Sequence, residues 1–215
     1  AFILALAGMY VSTDLTAQSI SVAVDGTTTC TAGNDGCLKA QLSDYSKLFG
    51  IPISIFGSSF YLAGALMLVL AVFWKSENEN IIKTLFLGAA LASVASIFLA
   101  IVSIRGGYLC PLCATLYGIN FGLAVTLWIA RSAEAEGGIA SMLSAPTSIG
   151  FWITALLFVL ATPTENYRYT TTVRAKLQAK SDEQAQRLSK DLEAAKKAAA
   201  AKKAADTTAA AENAA

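Results

Sequence analysis

The sequence lacks histidine altogether and carries few charged residues. Charged side chains make up 14% of the 215 residues, and hydrophobic ones 55%; a soluble domain averages roughly 25% charged residues. The absence of histidine removes the commonest general base and the commonest metal ligand. The net charge of +1 gives no electrostatic case for a nucleic-acid partner. We therefore expect a membrane protein that uses cysteine chemistry and binds no metal.

Four long stretches without charge occur before residue 165, and we predict that each forms a membrane-spanning helix, because a backbone in lipid must satisfy its own hydrogen bonds. They are Ile53 to Trp74, Thr84 to Ile104, Leu109 to Ala130, and a run around Ile149 to Thr162. Ala1 to Val11 is also apolar but falls short of the roughly 20 residues that a crossing needs. We interpret it as a first transmembrane helix that is truncated at its N-terminus, rather than as a signal-peptide remnant. The prediction is five transmembrane helices.

Counting the crossings places the two cysteine pairs on one side of the membrane. Cys30 and Cys37 lie in the predicted loop from Ser12 to Pro52, and two crossings return the chain to that side before Cys110 and Cys113. Lys and Arg are divided evenly between the short loops of the two sides, so the positive-inside rule does not decide the orientation. The basic tail mildly disfavours an external cysteine side, but disulfides persist in oxidising compartments. We place the cysteines outside the cytoplasm.

The loop before the second predicted span has two parts. Asp25 to Gly36 is rich in Thr, Gly, Asn and Asp, which is typical of a mobile loop. Leu38 to Phe49 has apolar residues at helical spacing and predicts a helix on the membrane surface, although a solvated helix without a role is an equal alternative. Gly50 and Pro52 then end this segment.

The pair Cys110-Pro111-Leu112-Cys113 opens the predicted helix that follows Arg105. Proline suits an early helical position, where its missing N–H leaves no partner unsatisfied. The partial positive charge of the helix N-terminus favours a thiolate, which is the species that exchanges with disulfides. An inert, packed pair is the alternative, and a zinc site with all four cysteines is disfavoured by their spacing.

Cys30 and Cys37 flank a segment rich in glycine and polar residues. Such a disulfide is accessible to another protein, and alone it could equally be a stabilising bridge. Two cysteine pairs on one face favour a relay, because disulfides exchange through mixed intermediates.

A polar stripe continues along the helix that Cys110 opens. Tyr117 lies four residues beyond Cys113 and Asn120 seven beyond, so the three side chains share one face. An amide in lipid requires a partner. Asn120 therefore either bonds a neighbouring helix or forms the polar end of a cofactor pocket.

Three segments in order carry a resemblance to a known family. They are Cys37-Leu-Lys-Ala-Gln-Leu-Ser43, then Phe49-Gly-Ile-Pro-Ile-Ser-Ile-Phe-Gly57 with Phe60-Tyr61, and Cys110-Pro-Leu-Cys-Ala-Thr-Leu-Tyr-Gly-Ile-Asn120. The chain resembles the vitamin K epoxide reductase family, in its bacterial branch, from residue 1 to about 162. The resemblance implies an all-α membrane protein in which a four-helix bundle surrounds a quinone and a fifth transmembrane helix follows.

The resemblance also implies roles for individual residues. Cys110 exchanges with the loop pair, through Cys30, and Cys113 faces the quinone and transfers the electrons. Ser43 matches a hydroxyl residue near the family's active site, and Tyr117 an aromatic hydroxyl at the quinone. We assign Asn120 and Phe60 to the same cofactor site.

One position departs from the family pattern. Ile53 stands where animal enzymes carry an asparagine that bonds the quinone, which favours a respiratory quinone, ubiquinone or menaquinone, over vitamin K epoxide. Many bacterial relatives continue into a thioredoxin-like domain after the fifth helix. The tail from Glu165 has no Cys-x-x-Cys, so the implied thioredoxin-like partner acts in trans or has been cut away.

Residues 1–164 are predicted to form the transmembrane domain and 165–215 an exposed helical tail or linker rich in Ala and Lys. We expect an inner-membrane enzyme with periplasmic cysteines that oxidises a thioredoxin-like protein and reduces quinone. The alternative is a membrane scaffold without enzymatic activity, whose disulfides brace its outer loop.

Overall fold

A computed structural model describes residues 1–28, 36–73, 78–134 and 149–212. This part of the chain is almost entirely helical, with one short hairpin. Its elements are α1 (Phe2–Asp25), α2 (Gly36–Leu42), a 3-10 turn (Asp44–Ser46), β1 (Lys47–Leu48), β2 (Ile51–Pro52), α3 (Ile53–Phe73), α4 (Asn78–Arg105), α5 (Pro111–Glu134) and α6 (Ile149–Glu212).

Three helices of the described residues are long and apolar enough to cross a membrane. They are Ile53–Phe73, Glu79–Arg105 and Pro111–Arg131, which correspond to the three central predicted spans. Their outer surfaces are apolar, as Val72 and Ile104 illustrate at 72% and 67% exposure. The chain is thus an all-α membrane protein, and the first and fifth spans stay predictions.

Helix α1 is longer than predicted, because it continues from Val11 through Asp25 instead of giving way to a loop at Ser12. The residues after Val11 include many hydroxyl and amide side chains, which we interpreted as a loop. In the structure these side chains bond within the bundle: Thr16 Oγ1 donates to the Ser12 carbonyl at 2.9 Å and lies 2.9 Å from Ser54 Oγ of α3. Gly26, with φ +67°, then ends the helix.

The predicted surface helix from Leu38 to Phe49 is also wrong in extent, since α2 ends at Leu42. The rest forms the 3-10 turn and an antiparallel hairpin in which Leu48 pairs with Ile51. Phe49 and Gly50 form its two-residue turn with φ of +53° and +80°, as a type I′ turn requires. The centre of the predicted mobile loop, residues 29–35, lies outside the described residues.

The bundle forms around α1, α3, α4 and α5. Helix α1 packs against α3 and α5, and α4 packs against α5 and α3. Tyr61, Met67, Leu85, Ile119 and Leu127 are among the buried residues of its main hydrophobic core. A smaller cluster of Leu15, Cys37 and Cys110 adjoins it, so the cysteines lie at one end of a packed helical scaffold.

The chain divides into two compact units, Ala1–Thr171 and Thr172–Ala215; the predicted domain boundary after residue 164 stays a prediction. In the second unit every side chain from Arg174 to Ala198 is exposed. Arg187 and Glu183 form an i,i+4 ion pair at 2.6 Å there. Such exposed pairs contribute only about 0.3–0.5 kcal/mol.

Candidate thiol-exchange site

One sulfur atom from each cysteine pair lies at the same end of the bundle. Cys37 Sγ lies 3.4 Å from Cys110 Sγ, and both residues are buried. Cys37 is in a disulfide, whereas Cys110 and Cys113 are free thiols. The prediction that the pairs share one side is confirmed for Cys37 and Cys110. Among the described residues, Cys37 supplies the sulfur beside Cys110; Cys30 lies outside them, so the exchange of Cys110 with Cys30 stays a prediction.

Helix α2 reaches this position because its first residue has no side chain. A Cβ atom at Gly36 would collide with the carbonyl oxygen of Leu109, the residue before Cys110. The backbone of α2 therefore lies directly against the segment that leads into α5. This close approach places Cys37 beside Cys110, and no sequence signal distinguishes Gly36 from the other glycine between Cys30 and Cys37.

The other end of α2 is attached to α1 through an amide. Ser19 Oγ donates to Gln41 Oε1 at 2.7 Å, and Gln41 Nε2 lies 3.4 Å from the Leu15 carbonyl oxygen. Ser19 is buried on α1. Hydrogen bonds thus fix the C-terminal turn of α2, and the Gly36 contact fixes its N-terminal turn.

The turn before α5 presents Cys110 to α2. Gly107 adopts φ +66°, and Ser103 at the end of α4 bonds the Tyr108 backbone twice: its Oγ donates to the Tyr108 carbonyl, and its carbonyl accepts from the Tyr108 N–H at 3.1 Å. These bonds join α4 to the short segment ahead of Pro111. Pro111 is the first residue of α5, so the Cys110–Cys113 motif opens this helix, as predicted.

Cys110 occupies the capping position of α5, one residue before the membrane span. The Cys113 N–H donates to Cys110 Sγ at an N···S distance of 3.4 Å. A hydrogen bond from the Cys113 thiol, helped by the N–H groups of Cys113 and Leu112, lowers the pKa of Cys110 to about 7 against the opposing effect of burial. A substantial fraction of Cys110 is therefore thiolate at neutral pH, which is the form that attacks disulfides.

A cavity of about 790 Å³ extends from this sulfur cluster into the bundle. Residues of all six α-helices line it, together with the hairpin and the segment between α2 and the hairpin. Most lining residues are apolar, and the others are mainly hydroxyl and amide side chains. Binding sites for small organic molecules are typically of this size and character, so a flat aromatic ring with polar substituents fits the residues present.

All predicted cofactor residues line this one cavity. Ser43, Phe60, Tyr117 and Asn120 contribute to its wall, as do Cys110 and Cys113. Their roles in binding remain predictions. Ser43 Oγ donates to the Ala40 carbonyl at 2.7 Å, so its single proton is engaged within the protein.

Ile53 also lines the cavity at the start of α3. An aliphatic side chain offers no hydrogen bond at this position. Any hydrogen bond to a ligand must therefore come from another residue of the cavity wall.

Two polar residues that the sequence analysis did not single out contact Asn120. Tyr61 Oη on α3 donates to Asn120 Oδ1 at 2.6 Å, and Asn120 Nδ2 donates to Ser96 Oγ on α4 at 2.8 Å. Tyr61 belongs to a quoted motif, but Ser96 is a single serine in an apolar helix. Of the two roles considered for Asn120, bonding to neighbouring helices is therefore confirmed.

The fold and the site together define a class of protein: a membrane protein in which a disulfide-bonded cysteine meets a Cys-x-x-Cys pair at the mouth of a largely apolar cavity. The chain belongs to the vitamin K epoxide reductase family, whose model matches residues 1–128. That range includes all four cysteines and ends before residues 149–162, to which the resemblance was also assigned. No curated protein and no solved structure matches the chain. Its family membership makes the chain a membrane oxidoreductase.

Proposed function

We propose that the protein oxidises a thioredoxin-like dithiol protein in the periplasm and passes the electrons to a quinone in the inner membrane. The observation that carries this proposal is the 3.4 Å contact between Cys37 and Cys110 at a cavity that Cys113 lines. Cys37 of the loop pair thus contacts a sulfur of the pair that lines the cavity, as an electron relay between the two pairs requires.

The relay begins at the loop pair. The partner's thiolate attacks the Cys30–Cys37 disulfide, and the partner's second thiol resolves the mixed disulfide. The partner leaves oxidised, and Cys30 and Cys37 are left as thiols. Two electrons and two protons have then moved from partner to loop.

The second exchange passes through Cys37 and Cys110. When Cys110 and Cys113 form a disulfide, the Cys37 thiolate attacks Cys110 and Cys113 leaves as a thiolate. Cys30 then attacks Cys37, which restores the loop disulfide and releases Cys110. The low pKa of Cys110 makes it a good leaving group in this step, because thiols of lower pKa leave faster.

The last step takes place in the cavity. A quinone supplies the capacity to accept two electrons and two protons, which Cys110 and Cys113 release as their disulfide re-forms. Cys113 lines the cavity and is the sulfur that we assign to the transfer. Phe60 and Tyr117 would flank the ring, Ser43 would lie toward the sulfur end, and Asn120 would donate a hydrogen bond.

The test is a quinone-reduction assay on purified protein with a reduced thioredoxin-like protein and a short-tailed ubiquinone. We expect reduction that Cys37→Ala and Cys113→Ala each abolish. Thr115→Ala is the matched control for Cys113→Ala, because Thr115 is exposed on the same helix. Continued reduction by Cys113→Ala protein, or absence of quinone binding by the natural protein, would favour the scaffold alternative.

A further inference from the structure

The polar part of the cavity wall away from the cysteines is formed by three helices. Tyr61 from α3, Ser96 from α4 and Asn120 from α5 make one hydrogen-bonded chain there. Tyr61 is 2% and Ser96 3% exposed, and Asn120 between them is half-buried. Of the three side chains, Asn120 is thus the one most accessible to a ligand.

The direction of the hydrogen bonds in this chain is determined by Ser96. Its hydroxyl proton is donated to the Ala92 carbonyl oxygen at 2.8 Å. Ser96 Oγ can therefore only accept from Asn120, so the atom beside it is the amide nitrogen. Asn120 Oδ1 then faces Tyr61, whose hydroxyl donates to it. The Asn120 amide has one orientation that satisfies all three groups.

This arrangement leaves one N–H of the Asn120 amide for a ligand. The amide nitrogen has two protons, and Ser96 takes one of them. Among the described residues no other group accepts the second. The other amide on the cavity wall, that of Gln41, is engaged with α1.

We propose that Tyr61 and Ser96 are positioning residues that hold Asn120 so that its remaining N–H donates to a carbonyl oxygen of the quinone. This inference rests on the proposed function and deepens it. Ile53 cannot provide a hydrogen bond from the start of α3, so the donor has moved to the middle of α5. The hydrogen-bonded chain fixes the amide before the ligand arrives, which lowers the entropy lost on binding.

The test measures binding rather than turnover. Full-length protein with all cysteines oxidised is titrated with a short-tailed ubiquinone, so that no thiol can reduce it, and the dissociation constant is measured by calorimetry. Infrared spectra of the carbonyl-labelled quinone report the hydrogen bond directly, because a donor lowers the carbonyl stretching frequency. Thermal unfolding of each variant monitors folding.

We expect Tyr61→Phe and Ser96→Ala each to raise the dissociation constant about fivefold to tenfold, as loss of one oriented hydrogen bond implies. In both variants the carbonyl stretching frequency should no longer be lowered. In Ser96→Thr protein it should again be lowered, as in the natural protein. Ser93→Ala is the matched control: Ser93 is a buried serine of α4 that donates to the Ala89 carbonyl, and it does not line the cavity. It should leave both readouts unchanged.

A double-mutant cycle distinguishes positioning from a direct contact. If Tyr61 and Ser96 act through Asn120, neither substitution adds to the effect of Asn120→Leu. Additive effects, or single variants that behave like Ser93→Ala, would overturn this inference and leave the proposed function intact. Failure of the natural protein to bind any quinone would overturn both.

Discussion

The two functional regions of the cavity are built in different ways. At the sulfur end, Cys37 and Cys110 lie at the first turns of α2 and α5 and meet through a backbone contact at Gly36. At the amide end, Asn120 lies within a long helix and is fixed by side chains of two others. Groups that must form and break bonds are thus placed at element ends, and a group that must only orient a ligand is placed where three helices enclose it.

The largest expected effect distinguishes thiol transfer through Cys37 from quinone reduction in the cavity. Cys37→Ser should reduce transfer from the thioredoxin-like protein to the uncatalysed background, because the sulfur that contacts Cys110 is lost. A small dithiol that reaches Cys110 and Cys113 directly should still support quinone reduction. Parallel assays with the two reductants check this. Equal loss with both would mean that Cys37 is needed for the cavity itself.

A substitution at Gly36 tests the backbone contact at the sulfur end. Gly36→Ala should lower the rate of thiol transfer about tenfold or more, because the added Cβ would displace α2 from Leu109 and small misplacements of reacting groups cost about 100-fold in rate. Stopped-flow transfer from the partner protein is the measurement. Quinone affinity should be unchanged.

Gly118→Ala is the control for that experiment. Gly118 lies in α5, and a Cβ there meets no other atom within 4 Å. If both variants slowed transfer equally, loss of glycine as such and not the Leu109 contact would be responsible.

The pH dependence of alkylation sharpens the difference between Cys110 and an ordinary thiol. With a pKa of about 7, Cys110 becomes a thiolate as the pH rises through 7, so its alkylation rate should be half-maximal there and level off above. An unperturbed cysteine would reach this point at about pH 8.5. Mass spectrometry of reduced protein after brief iodoacetamide treatment measures the profile.

Cys113→Ala should move that midpoint to higher pH, because it removes the thiol hydrogen bond that lowers the pKa of Cys110 most. An unchanged midpoint would assign the effect to the backbone N–H groups alone.

The smallest expected effect concerns the attachment of α2 to α1. Ser19→Ala removes the hydrogen bond to Gln41, and transfer should slow only about two- to fivefold, as expected for one hydrogen bond worth about 0.5–1 kcal/mol. Ser21→Ala, on an outer part of the same helix, should have no effect. Stopped-flow measurements compare the transfer rates of the two variants. Equal rates would mean that the Gly36 contact alone positions α2.

The sequence predicted most of what depends on local pattern. Three uncharged stretches predicted three of the spans, and the Cys110–Cys113 motif was placed at the start of a helix, as α5 confirms. Helix α1 was underestimated because its hydroxyl residues are satisfied by partners such as Ser54, which lies 38 residues away in sequence from Thr16. The hairpin after α2 was missed because Phe49 adopts a positive φ that is uncommon for a residue with a side chain.

The parts of the site that sequence reasoning missed are contacts between distant segments. Gly36 against Leu109 is a fit between two backbones, which no spacing encodes. Ser96 has the same local pattern as Ser93, since each bonds the carbonyl four residues before it. Only the packing of α4 against α5 makes one of them a partner of Asn120.

The distance between Cys37 and Cys110 bears on how fast the two pairs can communicate. A covalent S–S bond is about 2.05 Å long, and the two sulfur atoms are 3.4 Å apart, so bonding requires them to approach by only about 1.4 Å. So short a movement needs no large-scale rearrangement of α2 or α5, so motion of these helices sets no limit on the rate of the proposed exchange.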